Sequence, residues 1–476
     1  MKLRVNETFE TILDAVKNCK TPVQKVYLVG GAVRDLLLGK TIHDFDFVTS
    51  IESRALAKNL RKVLGGVGFA LDDERGFNRV ILNGGSKDEV IIDIAEFSGN
   101  DLEEDLHARD FTINAMAIDV DDMTVLIDPL GGKEDLQSGV LRVASTTSFA
   151  SDPLRVLRAV RMMQTFDMRL DAQTSELLRV AVGDLERVSG ERVRDELFNI
   201  LNVHGYEDSF RILWYFGILS EIFPYVPLFD SDLTSEAHHV FDARLKQLSF
   251  LENLYLKIEI PKLDDLVIKD DKNALSVIDQ WRTELSASIN LQITYGRCVR
   301  HLLVLLVLLL QKDVKEGPLS NLQVFIRDYK LSNDEADFLN RIEGFCQTDY
   351  DKVVNQRVWE NTEIYDILKA LKSATPGYVL IAISAIDFLK SKDADRDISK
   401  AVHNLKQLLT IWYEQGETIL KPRLLMNGDE IIDYAGLKPG PIVGALLGLL
   451  EKAQFLGDVK TIDDAKQLIV AYLKAL

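Results

Sequence analysis

The stretch from Tyr27 to Val48, YLVGGAVRDLLLGKTIHDFDFV, constrains this chain more than any other. Val26 to Val29 reads as a buried strand, Gly30-Gly31 as a turn, and Ala32 to Leu38 as a short helix. A second strand then carries Asp44-Phe45-Asp46. Strand side chains alternate faces, so Asp44 and Asp46 point one way while Phe45 and Phe47 point the other. Two carboxylates held side by side repel each other unless a divalent cation lies between them. The Gly-Gly turn leaves free N–H groups at a helix N-terminus, which favours a phosphate. A phosphate seat beside a carboxylate pair points to metal-assisted phosphoryl chemistry.

The same residues spell G-G-x-x-R-D followed after a short gap by D-x-D. That pattern resembles the nucleotidyltransferase superfamily, and closely its tRNA nucleotidyltransferase (CCA-adding) and bacterial poly(A) polymerase branch. The resemblance implies that Asp44 and Asp46 bind Mg²⁺ and run the chemistry, while Gly31 and Arg34 seat a triphosphate. Asp93, alone on the apolar strand Val90 to Ala95, is a candidate third carboxylate or a structural acid.

Further along, HARDFTINAMAIDV resembles the family's R-R-D-x-x-x-N motif, which contacts the nucleotide ribose and phosphates. Arg109, Asp110 and Asn114 match it, and Ala108 replaces the first arginine. Asp110 and Asn114 are four apart and are expected on one helix face. Only the short link FSGNDLEED precedes this motif. Many CCA-adding enzymes carry a longer flexible loop there and CC-adding relatives lack it, so the resemblance leaves CC against CCA open. Asp128-Pro129-Leu130-Gly131-Gly132 makes a hinge in which Asp128 is expected to cap the turn.

The segment FASDPLRVLRAVRMM starts a helix, with Pro153 near its beginning. Arg155, Arg158 and Arg161 form one stripe, and Leu154, Leu157 and Val160 an apolar one. Acids are sparse among these turns, which favours phosphate or nucleotide contact over local ion pairing. The segment resembles the family's E-D-x-x-R motif, with Ser151 in place of the glutamate. The resemblance implies that Asp152 and Arg155 read a Watson–Crick edge. A carboxylate accepts from an exocyclic amine and an arginine donates to a ring nitrogen or carbonyl, so such a pair selects C and A over U and G. In SGERVRDEL, Arg192, Arg194 and Glu196 are expected to brace the helices.

At 476 residues and 47% hydrophobic content, the chain can bury a large core and form several domains. A net charge of −18 argues against a general nucleic-acid binder unless basic residues gather on one face. The three cysteines have no metal-ligand spacing, which fits reduced thiols and a cytoplasmic protein. The longest apolar run, Leu302 to Leu310, is too short to span a bilayer and reads as a buried helix. His238, His239 and Asp242 superficially suggest ligands, yet packing or surface roles are the simpler reading. Pro261 to Asn273 reads as a solvated loop, and Asn427-Gly428 and Lys438-Pro439-Gly440-Pro441 as turns preceding helices.

Together these features predict an α+β fold: a nucleotidyltransferase head with a small β-sheet over residues 1–140, then a helical neck (141–202), body (203–347) and tail (348–476). The resemblance implies a transferase using CTP and ATP, with tRNA as partner and the tail as a tRNA contact. Alternatives are CC addition alone, a poly(A) polymerase, or a catalytically silent RNA-binding scaffold. No membrane association is expected, and the oligomeric state is not encoded in any motif.

Overall fold

A computed structural model describes residues 6–72, 76–86, 88–229, 235–260, 276–310, 320–354, 357–393 and 395–475. The predicted loop at Pro261 to Asn273 lies outside them. The chain divides into two compact units, one of residues 1–203 and 212–222, the other of residues 204–211 and 223–476.

The first unit begins with α1 (Glu7–Cys19), whose Asn6 side chain accepts from the Phe9 N–H and caps the helix. The order then runs β1 (Val26–Val29), α2 (Gly30–Leu37), β2 (Asp44–Thr49), α3 (Ser53–Leu64), β3 (Val67–Asp72), β4 (Phe77–Leu82), β5 (Val90–Glu96), α4 (Leu102–Ala108), β6 (Ala117–Asp119) and β7 (Asp122–Ile127). These strands make one seven-stranded sheet in the order β3-β4-β5-β2-β1-β6-β7. β2 and β5 run parallel, and every other neighbouring pair is antiparallel. Glu52, in a left-handed conformation, takes the N-cap position of α3.

One face of the sheet packs on α1, α2 and α3 through Phe9, Ile12, Val33, Phe45, Phe47, Leu56, Leu60, Val80, Ile92 and Ile94. Burying Phe45 and Phe47 contributes about 2 kcal/mol each and fixes which way β2 faces. The other face holds Tyr27, Val29, Val48 and, from α4, Leu106. Asp46 shares its parity with Val48, so the burial of the phenylalanines dictates that the aspartates face the α4 side.

After β7 the chain turns at Asp128, which accepts from the Gly132 and Lys133 N–H groups at 2.7 and 2.9 Å and so caps α5 (Gly132–Ser138). A short parallel pair, β8 (Val140–Leu141) and β9 (Arg169–Leu170), brackets α6 (Ser148–Ser151) and α7 (Arg155–Phe166). Pro153 stands in the turn between α6 and α7 rather than inside the helix. α8 (Ala172–Ala181) and α9 (Gly190–Leu201) follow.

Among its described residues, the second unit has one strand pair, at Gln292–Thr294 and Arg297–Cys298, and its other regular elements are helices. Its helix Val299–Leu309 is buried along nearly its whole length, which is why LLVLLVLLL carries no polar face. Among the described residues no helix is long and apolar enough to cross a membrane. Asp242 accepts from Arg211 at 2.9 Å. Near the C-terminus, Asn427 caps the helix Gly428–Ala435 in a reciprocal box with Glu430. That helix packs with Pro441–Leu456 and Ile462–Ala475 around Met426, Ile431, Leu446, Leu450 and Ile469.

Candidate active site

The candidate site opens on the α4 side of the sheet, where β2 presents an exposed Asp44 and a half-buried Asp46. Burial is the main force raising the Asp46 carboxyl, reinforced by Asp93 and Asp44 and opposed by Arg109, and the result is a pKa of about 6. The Asp44 carboxyl, though it reaches solvent, is raised as well, by partial desolvation and by Asp93, with Arg79 and His43 opposing. Neither carboxylate accepts a hydrogen bond from any described residue.

Gly30 opens α2 with φ +69°. A Cβ there would lie 3.0 Å from Arg109 Nη1 and 3.2 Å from Asp46 Oδ2, so only glycine lets these three elements converge. No side chain caps α2, which leaves its first N–H groups for an anion. Arg34, one turn into that helix, is buried. It donates to Asn114 Oδ1 at 2.6 Å and Asp35 Oδ1 at 2.9 Å, and its guanidinium lies 4.3 Å from the centre of the Phe166 ring.

Asp110 and Asn114 do meet, with Asn114 Nδ2 donating to Asp110 Oδ1 at 3.0 Å, but no α-helix carries them. α4 ends at Ala108, the chain extends through Phe111, and a 3₁₀ turn spans Thr112–Asn114. The expected shared helix face is thus replaced by a tight turn of the same residue spacing. Burial pushes the Asp110 carboxyl up, yet Arg158, Asn114 and the Phe111 N–H outweigh it and the pKa falls below the ordinary value. Just upstream, Asp105 fixes Arg109 through contacts of 3.1 and 3.0 Å and accepts from the Ser98 N–H at 3.0 Å.

The arginine stripe of α7 has acidic partners after all, contrary to the local sequence. Arg158 Nη1 lies 3.3 Å from Asp110, and Arg161 Nε lies 2.5 Å from Glu196 on α9. Arg155 donates to the carbonyls of Ala108 and Arg109 at 2.9 and 3.1 Å, and to Ser148 Oγ at 2.8 Å. Asp152 is bound by Arg192 at 2.9 Å and stands outside the cleft lining. The structure therefore does not join Asp152 and Arg155 into one base-reading edge. Of the neck braces expected from sequence, Glu196 holds Arg161 and Arg192 holds Asp152.

The cleft so formed has a volume of about 430 Å³. Gly30, Gly31, Arg34, Asp46, Arg109, Asp110, Asn114, Arg155, Arg158 and Arg161 line it. Five arginines against the aspartates at 46, 105 and 110 make it locally cationic within a chain of net charge −18. Asp93 is paired across the β2–β5 register with Asp46, but Arg79 holds it with bonds of 2.8 and 2.7 Å. Among the described residues no group of three or more His, Cys, Asp or Glu side chains is arranged to hold a metal. Sequence reasoning missed Asp105 and Phe166. The i,i+4 spacing of Asp105 and Arg109 was a legible signal, whereas the Arg34–Phe166 contact had none.

A seven-stranded head whose D-x-D strand faces an arginine-lined cleft beside a glycine-opened helix defines a nucleotidyltransferase. The poly A polymerase head domain matches residues 26–142, and the domain described as the probable RNA and SrmB-binding site of polymerase A matches residues 167–229. A CC-adding tRNA nucleotidyltransferase of Geobacter sulfurreducens is 41% identical over 179 residues, which is 37% of this chain and 40% of that protein. An A-adding tRNA nucleotidyltransferase of Deinococcus radiodurans is also 41% identical over 179 residues, 37% of this chain and 39% of its own length. A CC-adding tRNA nucleotidyltransferase of Synechocystis is 29% identical over 456 residues, covering 92% of this chain and 91% of that one. A solved complex of a CCA-adding enzyme with ATP is 25% identical, with a TM-score of 0.66 over 99% of this chain and 100% of that one. The chain is thus similar to poly A polymerases over its head at residues 26–142, and to a tRNA nucleotidyltransferase along nearly its whole length.

Proposed function

We propose that this chain adds CMP, and then AMP, to the 3′ end of tRNA from CTP and ATP without a nucleic-acid template, releasing pyrophosphate. The observation that carries the reading is the convergence of Asp46, Arg109 and the uncapped start of α2 at one point, Gly30. A triphosphate there would meet the α2 N–H groups and the Arg109 guanidinium, with Arg34 beneath the first turn of the helix. Asn114, held by Arg34 and Asp110, stands where a ribose hydroxyl would receive a hydrogen bond.

Asp44 and Asp46 fit a divalent ion, because both carboxyls are raised and neither accepts a hydrogen bond from a described residue. Mg²⁺ held there would neutralise charge on the attacking 3′-oxygen and on the departing pyrophosphate. Arg158 and Arg161, anchored by Asp110 and Glu196, would form the wall against which the base is presented. In this reading base choice requires Asp152 to exchange Arg192 for the nucleotide and Arg155 to turn from the Ala108 and Arg109 carbonyls.

A second reading, CC addition alone, is favoured by the near full-length match to the Synechocystis CC-adding relative. Product length separates the two. Purified protein is given a tRNA ending at the discriminator base with each labelled nucleotide and with CTP and ATP together. Three added nucleotides are expected. Arrest at two, with ATP present, establishes CC addition instead; long A tracts identify a poly(A) polymerase; and no incorporation overturns the transferase reading.

A further inference from the structure

Asp46 stands between two unlike flanks. On the β1 side lie Gly30, Arg109 and the arginine-lined cleft. On the β5 side the strand registers place Asp46 opposite Asp93, Asp93 opposite Arg79, and Arg79 opposite Phe69. Directly opposed residues share a sheet face, so Phe69, Arg79, Asp93 and Asp46 form one row across four strands. The Arg79–Asp93 ion pair fixes the direction of the middle of that row. No residue of β3, β4 or β5 lines the nucleotide cleft.

The row ends on the edge strand β3, where Phe69 is 46% exposed and Val67, on the same face, 68% exposed. A large aromatic and a β-branched residue left to solvent beside an arginine form a small stacking platform with a cation next to it. Three strand spacings put Phe69 roughly 14 Å from Asp46. The last few unpaired nucleotides of a polynucleotide span that distance when its 3′ end is at the carboxylates.

We propose that Phe69, backed by Val67, stacks a base near the 3′ end of the RNA acceptor strand, while the Nη1 group of Arg79, which its pairing with Asp93 does not use, donates to the phosphate that passes over it toward Asp44 and Asp46. The proposal rests on the nucleotidyltransferase reading above, and it assigns the flank that reading leaves unused. Two chains of phosphate must meet at one carboxylate pair, and the triphosphate already takes the β1 side. The acceptor strand is therefore brought in from the β5 side, where Asp93 would repel a phosphodiester were it not covered by Arg79. An apolar step beyond that cation suits a base face and not another phosphate.

The test is binding by fluorescence anisotropy of two labelled RNA duplexes, one blunt and one with a three-nucleotide 3′ overhang, together with steady-state kinetics on tRNA. Phe69→Ala is expected to weaken overhang binding and raise the KM for tRNA about tenfold, the loss typical of one stacked base. Phe69→Tyr should stay within about twofold of the wild type, since stacking tolerates any aromatic ring. Blunt-duplex affinity and the KM for CTP should not move. Phe69-dependent preference for the overhang supports the proposal even in a protein that adds no nucleotide, in which case the transferase reading fails alone. Nucleotide addition with an unchanged KM for tRNA in Phe69→Ala overturns the proposal and leaves the transferase reading standing. An equal loss on both duplexes overturns it too, as does a dimer that Phe69→Ala dissociates without changing RNA affinity.

Discussion

Asp46→Asn isolates the cost of holding two carboxylates together without a cation. The folded-state pKa of Asp46 is raised from 3.8 to about 6, chiefly by burial and then by Asp93 and Asp44. At about 1.4 kcal/mol per pKa unit, the ionised side chain costs the metal-free fold up to about 3 kcal/mol. The sign follows from the direction of the shift. Well below pH 3.8 the carboxyl is protonated in both states and carries no penalty. As pH rises toward and past 6, the unfolded chain ionises more readily and stability is lost. In EDTA, calorimetry should therefore find Asp46→Asn more stable than the wild type by about 1 kcal/mol near pH 4.5 and by about 3 kcal/mol near pH 8. For a unit of roughly 200 residues, 3 kcal/mol corresponds to about 6–12 °C in Tm. Mg²⁺ should raise the Tm of the wild type at pH 8 through binding to the folded state and leave the variant nearly unmoved. The variant should also lose nucleotide incorporation. Equal or lower stability of Asp46→Asn at pH 8 in EDTA would falsify the electrostatic account, and an equal Mg²⁺ response of both proteins would remove the ion from Asp46.

Gly30→Ala places a methyl 3.0 Å from Arg109 Nη1 on a backbone with φ +69°. It should cost about 1–2 kcal/mol in stability and lower kcat/KM by about 10² as Arg109 and Asp46 part, measured by urea unfolding and by incorporation of labelled CMP. Asp110→Ala removes one acceptor shared by Arg158, Asn114 and the Phe111 N–H. It should destabilise by about 3 kcal/mol at pH 7. Because the Asp110 pKa is depressed on folding, that difference should shrink as pH falls below the ordinary carboxylate range, and a pH-independent loss would show that packing and not charge is at stake.

What was legible in the chain was local. Alternation along Asp44 to Val48 requires the aspartates and phenylalanines to part, and the buried rings then orient the strand with no further information. The Gly30-Gly31 pair announced a tight helix entry, and the arginines at 155, 158 and 161 announced a stripe. The spacing of Asp110 and Asn114 signals their contact, although a 3₁₀ turn at Thr112–Asn114 closes it and not an α-helix, because either kind of turn can bring residues four apart together.

The tertiary structure decided what those groups face. Arg158 finds Asp110 across 48 residues and Arg161 finds Glu196 across 35, distances over which helical periodicity carries no information. The parallel pairing of β2 with β5 likewise puts Asp93 beside Asp46, and the antiparallel pairing of β4 with β5 puts Arg79 beside Asp93, so a lone acid on an apolar strand becomes part of the site's charge balance. Sequence by itself determined which residues could carry phosphoryl chemistry, since residue type and local period are enough for that. Only the assembled sheet and the packed α7–α9 helices determined which of them are already occupied by one another, because ion pairing depends on separation in space and not along the chain.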